Sequence, residues 1–130
     1  MKKRLKIFVA GPISAKKETD LFENIRKGQY VSRKVLDSGN SPFCPFIDFL
    51  LLLQDGPPVD MEMLYEYSLD WLRVSDAMLV LPGYETSTGT MGEVAEGNRI
   101  GIPMEYLIDY RITETAIKSL EKRVKLLAIQ

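Results

Sequence analysis

The stretch AMLVLPGYETSTGTMGE, Ala77 to Glu93, runs from an unbroken apolar pentapeptide through a polar, glycine-rich loop into a segment of helical composition. A short apolar run closed by Pro82-Gly83 reads as a buried strand, and Ala77 to Leu81 is the strongest strand signal in the chain. Downstream, a helix is expected from about Thr90 to Arg99, stopped at Gly101 and followed by a strand at Ile102 to Leu107. A final amphipathic helix starts at Thr113 and carries Ala116, Leu120, Val124 and Leu127.

Upstream the same alternation recurs. Leu5 to Ala10 (LKIFVA) reads as a first strand closed by Gly11-Pro12, and Thr19 to Ser38 as a helix with Leu21, Ile25, Gly28, Val31 and Val35 on one face. Ser41 to Phe46 is a second strand, irregular because two prolines remove backbone donors. Phe46 to Leu53 is ambiguous, and Gln54 to Pro58 is a loop. Asp60 is placed to cap a helix that runs to about Val74, with Met61, Leu64, Trp71 and Leu72 on one stripe. Strands that alternate with helices predict an α/β fold, a mostly parallel sheet of four to five strands covered on both faces, and a single domain over residues 1–130.

Composition excludes several kinds of chemistry. The 130 residues include no histidine and one cysteine, so there is no Ser-His-Asp or Cys-His pair, no two-histidine metal motif and no internal disulfide. Carboxylates, hydroxyls, lysines or backbone amides must carry any catalysis. Lys+Arg 17 against Asp+Glu 18, a formal charge of −1, argues against a nucleic-acid polymer as partner, since phosphate backbones favour a strongly basic face. The basic start, Met1 to Arg4, leads into too few apolar residues for a signal sequence. The longest apolar runs, Phe49 to Leu53 and Ala77 to Leu81, are far short of the roughly 20 residues that span a bilayer. The expectation is a cytoplasmic protein with no membrane partner.

In such sheets ligands bind beyond the carboxyl ends of the strands. Gly11 to Lys17, the segment after Phe43, and Pro82 to Thr90 qualify by position. The last offers hydroxyls and glycines directly before a helix, where free amides and the positive end of the dipole favour an anion. A competing interpretation is local: Thr90-Met91-Gly92-Glu93 fits a capping box in which Thr90 caps and Glu93 returns the hydrogen bond. Gly11-Pro12-Ile13-Ser14 is either a second ligand loop or an ordinary turn. Asp76 is expected to cap or orient backbone, Cys44 and both Met61 and Met63 to pack in or near the core, and Lys16-Lys17 to be solvated.

Together, Ala10-Gly11-Pro12, Asp76-Ala77 leading to Pro82-Gly83, Ser87-Thr88-Gly89-Thr90-x-x-Glu93, and Gly101-Ile102-Pro103 resemble the nucleoside 2-deoxyribosyltransferase-like superfamily over about residues 5 to 107. That superfamily includes nucleoside deoxyribosyltransferases and nucleoside 5'-monophosphate N-glycosidases. The resemblance implies a three-layer, flavodoxin-like Rossmann variant, a homodimer or higher oligomer, and a glutamate nucleophile at Glu93. That glutamate would form a covalent glycosyl-enzyme and release the base, after which water or a second base completes the reaction. No cofactor or metal takes part.

The position six residues before that glutamate tends to be acidic in nucleoside transferases and serine in phosphate-accepting relatives; here it is Ser87. A hydroxyl among free amides accommodates a phosphate that a carboxylate would repel, so a nucleoside 5'-monophosphate is the expected ligand, with Ser87, Gly89, Thr90 and Ser14 among the residues around it. Two residues depart from the superfamily pattern. Phe8 stands where a tyrosine often supports the nucleophile, and Ser68 stands where a catalytic aspartate is usual. Asp70 lies two residues further along, about 200° round the helix from Ser68. It is either the acid or an i,i+3 partner of Arg73. The alternative for the whole chain is a weak or inactive nucleotide-binding or assembly module on the same fold; a flavin-binding protein is a third possibility.

Overall fold

The structure, a computed structural model, describes residues 3–12, 18–45 and 51–129. Four strands form its sheet: β1 (Lys6–Ala10), β2 (Ser41–Phe43), β3 (Ala77–Val80) and β4 (Met104–Tyr106). Their order is β2-β1-β3-β4 and every neighbouring pair is parallel. Four helices connect and follow them: α1 (Glu18–Asp37), α2 (Met61–Arg73), α3 (Thr88–Ile100) and α4 (Thr113–Ile129). This is the α/β arrangement expected from the alternation, in the three-layer, flavodoxin-like form that the resemblance implies.

Successive strand residues point to opposite faces, and the two cores separate accordingly. Ile7, Val9, Ala77, Leu79 and Leu81 pack with Val31 and Val35 of α1 and Ala116, Ile117 and Leu120 of α4. Phe8, Ala10, Met78, Val80 and Met104 pack with Leu69 and Leu72 of α2 and Val94 of α3. Ile7 to Ala10 and Ala77 to Val80 are completely buried, which is why β1 and β3 are apolar throughout rather than alternating. Each buried Leu, Ile or Val side chain contributes about 1.5–3 kcal/mol.

Sheet order reverses between β1 and β3. The chain leaves β1 toward β2 through α1 on one face, then crosses back to β3 through α2 on the other. In sheets of this kind ligands bind beyond the carboxyl ends of the strands where the order reverses, here β1 and β3. Gly11 and Leu81 meet there, and Leu81 donates its amide to the Ala10 carbonyl (2.8 Å). A Cβ on Gly11 would come within 2.9 Å of the Leu81 Cβ, so this close approach needs glycine. At the opposite end, Asp76 orients backbone as expected, accepting the Lys6 amide at 2.8 Å.

Several boundaries and faces differ from the sequence expectation. Strand β2 ends at Phe43, three residues early, and β4 begins at Met104 because Ile102-Pro103 only lead into it. Asp60 does cap α2, accepting the amides of Glu62 and Met63. Its buried face, however, is Ser68, Leu69 and Leu72, with Leu64 and Tyr65 half-buried. Met61 lies on that stripe but in a first turn that outruns the core, and Met63 lies on the far side; both are exposed rather than packed. Trp71 sits on the flank, half exposed, its ring stacked on Phe43 at 5.6 Å. Leu127 likewise is exposed near the end of α4, where the helix has passed the sheet. Cys44 is buried as expected. Lys16, Lys17 and residues 46–50 lie outside the described residues. Among the described residues no helix is long and apolar enough to cross a membrane.

Candidate functional site

Beyond β3, Gly83 adopts a left-handed φ of 85° and turns the chain into a short 3-10 turn, Tyr84–Thr86. A Cβ built on Gly83 would lie 3.7 Å from the Pro12 ring, so the loops after β1 and β3 meet at the carboxyl edge. Two of the three loops singled out by sequence thus converge. Ile13 and Ser14 lie outside the described residues.

The capping box is corrected by one turn of helix. Ser87, not Thr90, is the N-cap of α3: its Oγ accepts from the Thr90 amide at 3.2 Å and from the Thr90 hydroxyl at 2.9 Å. An extended residue is needed at the N-cap, and Ser87 has φ −119°, ψ 115°, which lets Thr88 begin the helix. A serine hydroxyl that accepts twice still has one proton to donate. The amides of Thr88 and Gly89 are the first-turn donors this cap does not use. The space beside Gly89 is open: among the described residues, its chain neighbours and its own helix backbone aside, no atom lies within 4 Å of a Cβ built there. Ser87, Gly89 and Thr90 therefore sit together at one helix start.

Moving the cap to Ser87 releases Glu93 from the reciprocal role a Thr90 cap would give it. Thr90, Glu93, Val94 and Gly97 form the buried stripe of α3, and Glu93 is only 6% exposed. Carboxylates are seldom this buried, because desolvation must be offset by specific partners. Asp70 is not brought to Glu93. It lies on the side of α2 opposite Leu72, its side chain 74% exposed and 3.3 Å from Arg73. This is the i,i+3 ion pair with Arg73 that the sequence offers as one of two roles for Asp70. Phe8 and Ser68 are both buried on the sheet face that α2 and α3 cover.

Tyr65 was missed by the sequence reading. Its phenol reaches α3 at Gly92, and a Cβ on Gly92 would overlap the hydroxyl oxygen. Burial, then the negative charge of Glu93, push the phenol pKa up from 10.0. The available signal was spacing: Tyr65, Ser68 and Leu72 fall on one stripe at steps of three and four, once the stripe is centred on Leu72 instead of Trp71.

Arg73 fastens α2 to α3 beside this point, 2.7 Å from Glu96, which also pairs with Arg99. Hydrogen bonds from Arg99 and Arg73 hold the Glu96 carboxyl down at about 2, from 4.5. A depressed carboxylate contributes stability above its unfolded pKa and loses it as pH falls through the folded value. Urea midpoints of the wild type are thus expected to drop between about pH 4.5 and 2 more steeply than those of Glu96→Gln, whose neutral-pH midpoint starts lower. Parallel profiles would refute the coupling.

Over residues 5–107 the chain matches the family model described as "Domain of unknown function (DUF7768)". The chain belongs to this family. Among solved structures, the DUF7768 chain is similar to the 2-deoxyribosyltransferase from the psychrotolerant bacterium Bacillus psychrosaccharolyticus. The identity is 18%, the TM-score 0.64, and the match covers 88% of this chain and 95% of that one. It is similar also to a conserved protein from Enterococcus faecalis V583, at 15% identity and a TM-score of 0.59, covering 95% and 99%. At these identities the likeness is one of fold, and it gives the DUF7768 chain a structural relationship to a deoxyribosyltransferase. No curated protein matches the chain in sequence.

Proposed function

We propose that this protein, acting as one domain over residues 1–130, cleaves the N-glycosidic bond of a nucleoside 5'-monophosphate, with Glu93 as nucleophile. The observation that carries the proposal is the Glu93 carboxylate, buried on α3 one turn inside a capped, amide-rich helix start at the carboxyl edge of the sheet. The carboxylate attacks the anomeric carbon as the carbon–nitrogen bond breaks, the base leaves and takes up a proton, and a covalent glycosyl ester remains. Water then adds at the anomeric carbon and returns the carboxylate, or a second base does so in a transfer. Fold similarity to a deoxyribosyltransferase supports this chemistry.

The phosphate is held by the Ser87 hydroxyl, the Thr88 and Gly89 amides and the positive end of α3, with Thr90 fixing Ser87. Gly11 and Pro12 line the neighbouring loop, and Ile13 and Ser14 complete it in this proposal. Asp70 serves α2 through Arg73 instead of the sugar. The setting is cytoplasmic, the protein a homo-oligomer, the ligand a small nucleotide or nucleoside rather than a nucleic-acid polymer, and neither cofactor nor metal is required.

Incubation with a panel of ribo- and deoxyribonucleotides tests the proposal: free base should appear with at least one, and addition of a second base separates transfer from hydrolysis. Nucleotide binding with no base released from any of them, at high protein concentration, would sink it. That result would favour a binding or assembly module, to which the exposed Asp70 carboxylate and the apolar Phe8 already point.

A further inference from the structure

Tyr65 reaches across from α2 to the residue that precedes Glu93. Gly92 carries no side chain, and the end of the Tyr65 phenol takes the volume a side chain would fill: a Cβ there would overlap the hydroxyl oxygen and lie 3.1 Å from Cζ. Residues 89, 92, 93 and 96 share the side of α3 turned to α2, as the Gly92–Tyr65 approach and the Glu96–Arg73 ion pair both show. The ring is anchored, half-buried against the core of Phe8, Leu69, Leu72 and Val94.

We propose that Tyr65 is a positioning residue of this site, its phenol O–H donating to the Glu93 carboxylate and fixing the direction in which that carboxylate meets the sugar. The assignment rests on the N-glycosidase proposal above. A neutral donor suits this place, because it orients a carboxylate without cancelling the charge that makes it a nucleophile, as a lysine would. It also stabilises the same carboxylate when the glycosyl ester breaks down and Glu93 becomes the leaving group. Burial and the Glu93 charge both keep the phenol protonated, and Glu66 and Glu96 act in the same direction. Arg73 alone opposes them, and its guanidinium is bound to Glu96 and Asp70.

The test has two arms. Tyr65→Phe removes one oxygen and leaves the ring in the core; kcat for base release should fall about 10- to 100-fold, the range for a hydrogen bond to a charged group, with KM and the thermal midpoint little changed. Gly92→Ala displaces the same hydroxyl from the other side and should reproduce the loss in kcat. Alanine favours helix more than glycine does, so a weakened α3 would not explain that loss. In the second arm, NMR titration of ring-labelled tyrosine should show Tyr65 ionising at lower pH in Glu93→Gln than in the wild type. Unchanged kcat in Tyr65→Phe, or a Tyr65 titration indifferent to Glu93→Gln, overturns the assignment. A wild-type protein that releases no base refutes the N-glycosidase proposal instead, and the titration arm then decides by itself whether the hydroxyl faces Glu93.

Discussion

Glu93→Gln is expected to slow base release from a nucleoside 5'-monophosphate by on the order of 10⁴-fold while nucleotide binding stays within a few-fold of the wild type. The amide keeps the size and hydrogen-bonding capacity of the carboxylate, so the buried stripe of Thr90, Glu93, Val94 and Gly97 stays filled. What disappears is the negative charge and, in the proposed mechanism, the ability to form a glycosyl ester. Interactions that act only in the transition state alter kcat, whereas the phosphate contacts proposed for Ser87 and Gly89 would be made in the ground state as well. Intact-mass spectrometry gives an independent readout. A slow substrate analogue with a poor water-accepting sugar should add one glycosyl mass to the wild type and none to the variant. Equal rates for the two proteins would remove Glu93 from the mechanism.

Ser87→Asp is expected to reduce kcat/KM for the nucleotide about 100- to 1,000-fold and to leave the corresponding nucleoside far less affected. Two like charges about 4 Å apart repel by about 4 kcal/mol at an effective dielectric of 20, and each 1.4 kcal/mol is a factor of ten. The fold is not at risk, because aspartate caps helices as well as serine does and can accept the same Thr90 amide. The substitution therefore separates phosphate recognition from structural integrity. Thermal midpoints should agree within a few degrees while the ratio of nucleotide to nucleoside turnover collapses. An unchanged ratio would place the phosphate elsewhere.

Glu93 and Ser87 illustrate two degrees of legibility. Both stand in a loop-to-helix passage whose hydroxyls and glycines offer either an anion site or a capping box, and the superfamily resemblance nominates both. Which of the two hydroxyl residues caps the helix was not legible, because Ser87-x-x-Thr90 and Thr90-x-x-Glu93 have the same spacing and each satisfies cap chemistry. The choice falls to Ser87 because the Tyr84–Thr86 turn delivers that residue in an extended conformation, letting Thr88 start the helix. For Asp70 the sequence leaves two alternatives, and the exposed pair with Arg73 matches one of them. Tyr65 was overlooked because the aromatic and apolar residues of α2 outnumber the places the core has for them. Met61, Tyr67 and Trp71 are exposed while Ser68 is buried, an inversion that hydrophobicity counts do not anticipate.

Local regularity carried the rest. Short apolar runs closed by Gly and Pro mark strands, three- and four-residue apolar steps and cap residues mark helices, and the alternation of the two implies a parallel sheet with covered faces. The absence of histidine confines any catalysis to carboxylates, hydroxyls, lysines or backbone amides. These properties belong to residues near one another along the chain, so the chain order alone reveals them. The meeting of Pro12 with Gly83, the burial of Glu93, the outward turn of Asp70 and the reach of Tyr65 to Gly92 belong to packing between elements far apart in sequence. The first follows from the pairing of β1 with β3, and the other three depend on the rotation of a helix about its own axis against the sheet. That rotation is set by which side chains fill the β1 and β3 surfaces most completely, a competition that no segment settles in isolation.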